Sequence, residues 1–346
     1  MNRWRPSAAT AIRKEQELID HAPRLAVFSL GGTIAMTAQN DGTVAPALTG
    51  QQLLDAVPQI AQLGYGLEVA SFRQKPGASL TYDDLFDLSD AIAAAIDAGA
   101  VGVVVTQGTD TIEETAYFLD LRHDHRVPVV VTGAMRNPTM AGADGPANLL
   151  AALQTAAAPH TPRRALVVFG DEVHAATHVS KTHSTSITAF ASAIGPIGHV
   201  AEGRVTYLAR ADPAPAIHGA ILRTARTGLI TAALGDDADM LDAAGERLDG
   251  LVIAGFGAGH VPADWVPALE KLAARIPVVL GTRTGRGPVL SCTYGFPGSE
   301  SDLLARGLLS AGSLAPVKAK VLLHTALATG LTSADIHGLL APGAAA

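Results

Sequence analysis

The chain has 346 residues, which is a prior of about two domains. Its 32 acidic and 25 basic side chains give a net charge of −7, which argues against a nucleic-acid partner needing a basic surface. Apolar residues at 48% exclude a disordered chain, and no apolar run reaches the roughly 18–20 residues of a membrane helix; the longest candidate, 91–105, is broken by Asp97 and two glycines.

Strands and helices alternate in chain order. Strands are predicted at 25–30, 101–106, 127–132 and 165–169, and in the second half at 250–254 and 276–280. Helices are predicted at 82–98, 111–121, 147–158, 262–274 and 316–329. This alternation predicts an α/β protein: a larger N-terminal domain with a parallel-type sheet and helices on both faces, plus a smaller C-terminal α/β domain. The boundaries are set at 23–209 for the larger domain, 210–227 for a Pro-rich linker and 228–346 for the smaller domain. The first ~20 residues and the tail from Ala341 read as peripheral arms. With Cys292 as the one cysteine, no internal disulfide can form. Met1 to Leu18 holds no apolar signal region, which places the protein in the cytoplasm by default.

Nearly every strand run ends in glycine beside Thr, Ser or Asp, and ligands in open parallel sheets bind at the carboxyl ends of strands. The first such end is Gly31-Gly32-Thr33-Ile34-Ala35. Taken alone it is a tight turn; read chemically, Gly32 brings backbone N–H groups close to a ligand and Thr33 presents a hydroxyl. The second is Thr106-Gln107-Gly108-Thr109-Asp110-Thr111-Ile112-Glu113-Glu114-Thr115. A capping box, Asp110 with Glu113 or Thr111 with Glu114, accounts for the acids. It leaves Gly108 and three threonines in six residues unexplained. The same helix start suits a zwitterionic amino acid, with Asp110 on the ammonium and N–H and hydroxyl groups on the carboxylate.

The third is Ser180-Lys181-Thr182, where a Lys beside a hydroxyl can act as a base once buried; otherwise it is a solvated surface charge. His174, His178 and His183 lie nearby but lack an acidic partner in zinc-ligand register, so no metal is assigned. Gly281-Thr-Arg-Thr-Gly-Arg-Gly287 lacks the spacing of a phosphate loop and reads as a flexible loop after a strand.

Together these segments resemble the bacterial-type L-asparaginase/glutaminase family. Gly31–Ala35 and Thr106–Ala116 match its two signature motifs, followed in order by Val131–Arg136, Ala143–Asn148, Val179–Thr182 and Gly312–Ala319. The resemblance spans about Leu25 to Leu327. It implies a cofactor-free homotetrameric amidohydrolase, a dimer of intimate dimers, that converts L-asparagine to L-aspartate and ammonia. Carried over residue by residue, it makes Thr33 the nucleophile, Thr109 and Lys181 a second hydroxyl–base pair, and Asp110 the binder of the substrate amine. Gly32 and Gly108 frame the site, and the Ala134 carbonyl holds the carboxamide. Ser79, in Gly77-Ala78-Ser79, is the candidate at the substrate carboxylate. Counting back from Lys318 without gaps makes Glu300 the acid that a partner subunit's smaller domain supplies.

The sequence departs from the family pattern in places. The loop Met36–Thr49, a candidate lid around Asp41-Gly42, carries no Tyr near the nucleophile. Gln107 stands where His is common, and Ala258 where Asn is frequent. Glutamine or a D-amino acid amide is the alternative substrate, since one methylene is worth only about 1–3 kcal/mol of discrimination. A non-catalytic amino-acid-binding module that kept the fold is a second alternative. A subunit of a tRNA-dependent amidotransferase is a third, opposed by the net charge of −7.

Overall fold

A computed structural model describes residues 22–38, 44–46, 48–124, 126–210 and 215–341. The expected arms before residue 22 and after 341 lie outside the described residues, as do 39–43 and 47 of the expected lid. The chain divides into two compact units: Met1–Leu119 with His123–Asp212, and Asp120–Arg122 with Pro213–Ala346.

The strands of the first unit are β1 (Arg24–Ser29), β2 (Met36–Ala38), β3 (Val44–Pro46), β4 (Gly66–Ser71), β5 (Ala100–Thr106), β6 (Val129–Thr132), β7 (Ala165–Phe169), β8 (Glu172–Ala175), β9 (Val179–Lys181), β10 (Phe190–Ser192), β11 (Gly198–Ala201) and β12 (Arg204–Tyr207). Its helices are α1 (Gly50–Asp55), α2 (Tyr82–Asp97), α3 (Ile112–Arg122, whose last turn belongs to the second unit) and α4 (Gly145–Ala157). Among the described residues the main sheet has eight strands in the order β12-β11-β8-β7-β6-β5-β1-β4.

The five strands β4, β1, β5, β6 and β7 are parallel. β8, β11 and β12 are antiparallel additions, so the sheet is mixed rather than uniformly parallel. The sequence hid these strands because each is four residues long and joined to its neighbour by a tight turn at Gly170-Asp171 or Glu202-Gly203. Asp171 and Glu202 adopt positive φ there, at 64° and 50°.

The parallel strands are apolar and β-branched because both of their faces are covered. Val103, Val104 and Val105 have no exposed surface. Leu25, Val27, Val104, Val130, Leu166 and Val168 pack on one face with Leu149, Ala152, Leu153 and Ala156 of α4. The register matters for function. Ser29 pairs with Ser71 and Thr106, and Thr106 with Thr132, so β1, β4, β5 and β6 end at one level. The chain leaves β1 toward β4 on one side and continues through β5, β6 and β7 on the other. The switch between β1 and β5 opens the kind of crevice where α/β proteins bind ligands.

The second unit holds a four-stranded parallel sheet, β13 (Thr227–Thr231), β14 (Gly250–Gly255), β15 (Val278–Thr282) and β16 (Leu309–Ser310), in sequential order. Its helices are α5 (Asp239–Gly245), α6 (Val266–Ala273), α7 (Glu300–Ala305), α8 (Pro316–Ala328) and α9 (Ser333–Leu340). Trp265, with no exposed surface, packs among Leu251, Ile253, Leu269, Leu280 and Leu303. Pro316 opens α8 at a position where its missing N–H costs nothing.

At the described end of the Pro-rich linker Ile217 is buried, its N–H donates to the Leu121 carbonyl at 2.7 Å, and Arg122 Nη1 donates to the Ile217 and Gly219 carbonyls. One sequence expectation changes. The loop after β15 is pinned, not free. Arg283 lies over the Phe256 ring at 4.3 Å, and Thr282 Oγ1 donates to the Gly257 carbonyl at 2.6 Å. Among the described residues no helix is long and apolar enough to cross a membrane.

In α8, burial lowers the His324 imidazole from 6.5 to about 4, and the Lys320 charge adds to that. A depressed folded-state value makes its stabilising contribution complete above about pH 6.5. The contribution is lost as the pH falls toward 4, because the unfolded chain takes up the proton first. We expect His324→Leu to lose less stability than the wild type between about pH 7.5 and 5 in urea denaturation. Parallel pH profiles would refute this assignment.

Candidate active site

Three loops meet at the crevice on backbone alone. Gly32 follows β1 in a positive-φ conformation of 83°. A Cβ built there would lie 2.1 Å from the Gly108 nitrogen and 2.2 Å from its Cα. A Cβ on Gly108 would in turn fall 2.6 Å from the Gly77 nitrogen, and one on Gly77 would meet the Gly108 carbonyl oxygen at 2.8 Å. No side chain fits at this junction, so all three positions are glycine. The loops after β1, β4 and β5 therefore touch, and the residue following two of these glycines is a threonine: Thr33 after Gly32 and Thr109 after Gly108.

Thr33 starts a 3₁₀ turn, Thr33–Ala35, closed by Ala35 N–H donating to the Gly32 carbonyl at 2.9 Å. Its neighbour Ile34 is buried beside Gly145 and Ala134 and anchors the turn, while Thr33 itself is half-buried. Thr109 also opens a 3₁₀ turn, Thr109–Thr111, and is 6% exposed. Lys181, at the end of β9, reaches it: Nζ donates to Thr109 Oγ1 at 2.9 Å and to Asp110 Oδ1 at 2.8 Å. The ammonium end is largely covered and the Asp110 carboxylate mostly exposed, with side-chain exposures of 16% and 61%. The Thr109 hydroxyl and the open Asp110 carboxylate thus share the Lys181 ammonium.

Neither expected capping box forms. Gly108 and Thr111 stand at the starts of the 3₁₀ turn and of α3 without a side-chain cap. Thr111 Oγ1 instead donates to the Gly77 carbonyl at 3.0 Å, and Gln107 Nε2 donates to Thr111 Oγ1 and to the Gly108 carbonyl, each at 3.2 Å. Glu113 accepts the Lys181 backbone N–H at 3.2 Å. Spacing alone fitted the acids to a cap, but the packed loops offer them better-placed donors.

Further polar groups hold the loops. Asp84, almost fully buried, accepts from Arg73 Nε, Lys75 Nζ and the backbone and hydroxyl of Thr81 at 2.7–3.0 Å. Burial disfavours its charge, but the Lys75, Arg73 and Thr81 hydrogen bonds outweigh this and hold its carboxyl well below the usual carboxylate range. Asp144 accepts from the Met135 and Arg136 N–H groups at 3.0 and 2.8 Å. Asn148 donates to the Gly133 carbonyl at 3.0 Å. These bonds fix the turn that carries Ala134, which is fully buried after β6. Ser79 is exposed on the 3₁₀ turn Gly77–Ser79, directly beyond the glycine junction.

Glu300 is held by groups of its own unit. It belongs to the second unit and has no exposed surface. Its Oε1 accepts from Thr293 and Tyr294 N–H at 3.0 and 2.8 Å, and its Oε2 bonds His260 Nε2 at 3.1 Å. Burial opposes ionisation, yet the Tyr294 and other backbone N–H groups prevail, lowering its pKa from the ordinary value. Its bonding partner His260 is 23% exposed, between the exposed rings of Tyr294 and Phe296. Gapless counting fixes a chain position, not what covers a side chain. Of the three histidines, His174 is buried against Ser192 and Glu172, and His183 accepts N–H groups of its own turn.

A sheet with a switch-point crevice and two threonine-bearing turns meeting there defines an α/β protein with a candidate site at its strand ends. The chain belongs to the asparaginase family: residues 24–213 match the model "Asparaginase, N-terminal", and residues 226–340 match "Glutaminase/Asparaginase C-terminal domain". It is 37% identical to a probable L-asparaginase of Deinococcus radiodurans, over 93% of this chain and 98% of that protein. It is 29% identical to a glutaminase-asparaginase of Pseudomonas fluorescens biotype A, over 96% and 93%. The crystal structure of a probable cytoplasmic L-asparaginase from Campylobacter jejuni superposes with a TM-score of 0.81 at 30% identity, covering 92% of this chain and 99% of that one.

The glycine junction is testable at Gly108, whose φ of −66° suits any residue, so that only contact opposes a side chain. Gly108→Ala is expected to destabilise the protein by about 1–3 kcal/mol, as overpacking does. It should also lower turnover more than tenfold, because the loops bearing both threonines must part. Unchanged urea midpoint and unchanged activity would show that the junction is not tight.

Proposed function

We propose that this protein hydrolyses the side-chain amide of L-asparagine to L-aspartate and ammonia through a threonyl ester. The observation that carries the reading is the glycine contact between the loops of Thr33 and Thr109, with Lys181 Nζ bonded to Thr109 Oγ1 at 2.9 Å. Family membership and the L-asparaginases among its relatives support it.

In this mechanism the Thr33 hydroxyl oxygen adds to the carboxamide carbon. Backbone N–H groups at Gly32 and at the start of the Thr109 turn, which lack partners within the turn, receive the oxyanion. The C–N bond then breaks, the nitrogen leaves as ammonia with the Thr33 proton, and an ester remains on Thr33. Water activated near Thr109 and Lys181 adds to the ester carbonyl. Its oxygen stays in the aspartate side chain and its proton restores the Thr33 hydroxyl. Asp110, open to solvent, holds the substrate ammonium, Ser79 takes part at its α-carboxylate, and the Ala134 carbonyl accepts from the carboxamide.

The same reading assigns a homotetramer of paired intimate dimers. The resemblance behind it supplies the smaller domain of one subunit to the site of another. In this reading Glu300, bonded to His260 at 3.1 Å, is the acid that the smaller domain contributes.

Two measurements test the proposal. Thr33→Ala is expected to abolish ammonia release from asparagine, by at least about a thousandfold, while aspartate still binds in calorimetry. Wild-type protein that binds aspartate but releases no ammonia is instead a binding module. Asparagine and glutamine compared separately should differ about tenfold or more in kcat/KM in favour of asparagine. Equal values overturn the asparagine preference.

A further inference from the structure

We propose that Glu113 is a positioning residue for Lys181, an inference that rests on the hydrolase reading above. Lys181 sits at the last position of the three-residue strand β9, paired on one side with β10 through Phe190. Its N–H does not enter that ladder. It points to Glu113 Oε1 at 3.2 Å, while the next N–H, of Thr182, returns to β10 through the Ala189 carbonyl at 2.7 Å. Glu113 therefore stands where a neighbouring strand would otherwise supply an acceptor, and it fixes the backbone of an edge strand too short to hold its own course.

The consequence lies at the other end of the side chain. Lys181 Nζ must stay within hydrogen-bond reach of both Thr109 Oγ1 and Asp110 Oδ1, at the end of a long and flexible stem. Thr109, Asp110 and Glu113 belong to one continuous segment, the 3₁₀ turn Thr109–Thr111 running into α3. One rigid element thus grips the lysine at both ends, its ammonium by Thr109 and Asp110 and its backbone by Glu113. Releasing the backbone lets β9 shift against the turn, and displacements near 1 Å at a reacting group cost orders of magnitude in rate.

A purely structural alternative exists for an acid in the first turn of a helix, where negative charge stabilises the helix dipole. Three variants of the full chain separate the two roles. Glu113→Gln keeps an acceptor oxygen at the same reach and removes the charge. Glu113→Asp keeps the charge and withdraws the acceptor by one methylene. Glu113→Ala removes both. Positioning predicts that kcat for asparagine falls about tenfold in Glu113→Asp and Glu113→Ala, with KM within twofold, while Glu113→Gln keeps kcat within twofold of wild type. Urea midpoints should follow charge instead, with Gln and Ala lowered alike and Asp unchanged.

If kcat tracks charge rather than reach, if all three variants turn over like wild type, or if the change falls on KM alone, the proposal is overturned. Should Glu113→Ala fail to fold, the Gln and Asp pair decides it. A wild type that turns over beside unimpaired variants ends only this inference. A wild type that releases no ammonia ends the hydrolase reading and this inference together.

Discussion

The site depends on a contact between backbones with nothing between them. Gly32, Gly77 and Gly108 come from loops after β1, β4 and β5; Gly108 fills the space where a Cβ on Gly32 or Gly77 would lie, and Gly77 the space of one on Gly108. That contact sets the separation of Thr33 and Thr109 more rigidly than any side-chain bond, since backbone atoms have no rotamers with which to yield. The strand register makes it possible. β1, β4 and β5 end at the same level, so their loops start from one height on either side of the switch in strand order.

Electrostatics then completes what sterics begins. Lys181 comes from outside the parallel core, on a short hairpin, and is drawn to the turn by Thr109, Asp110 and Glu113. The loop bearing Gly77 and Ser79 is held by the buried Asp84 and its two cations. The Ala134 turn is held by Asp144 and Asn148. Each of these loops thus has its own polar anchor away from the crevice. Asp110 is open and Asp84 buried; a carboxylate that anchors a loop is stronger when water is excluded, and the open one suits the substrate role proposed for it.

Much of the architecture was legible before any coordinates. Tyr82–Asp97 and Pro316–Ala328 fall within a residue of their sequence-based limits, because a capping Thr81 with Asp84 and a leading Pro316 mark their starts. Ala165–Phe169 coincides with its sequence-based range. The antiparallel strands β8 to β12 were not read. They are three or four residues long, and their cues lie in turns such as Glu202-Gly203 rather than in apolar periodicity. Of the candidate site, Thr33, Thr109, Asp110 and Lys181 are legible from motifs, whereas the sequence reads Glu113 as part of a cap and only the structure shows it on the Lys181 backbone. His260 meets Glu300, and Asp84 meets Arg73 and Lys75, only once the chain is folded, which spacing does not encode.

The sequence by itself determined the strand ends, the glycines beside them and the hydroxyl and charged residues that follow, because these are local properties of composition and order. Tertiary structure decided which of those ends touch, which acids are exposed and which are consumed by backbone donors. Burial and hydrogen-bond choice belong to neighbours far apart along the chain, so Glu113 and Glu300 found partners that no count of intervening residues assigns.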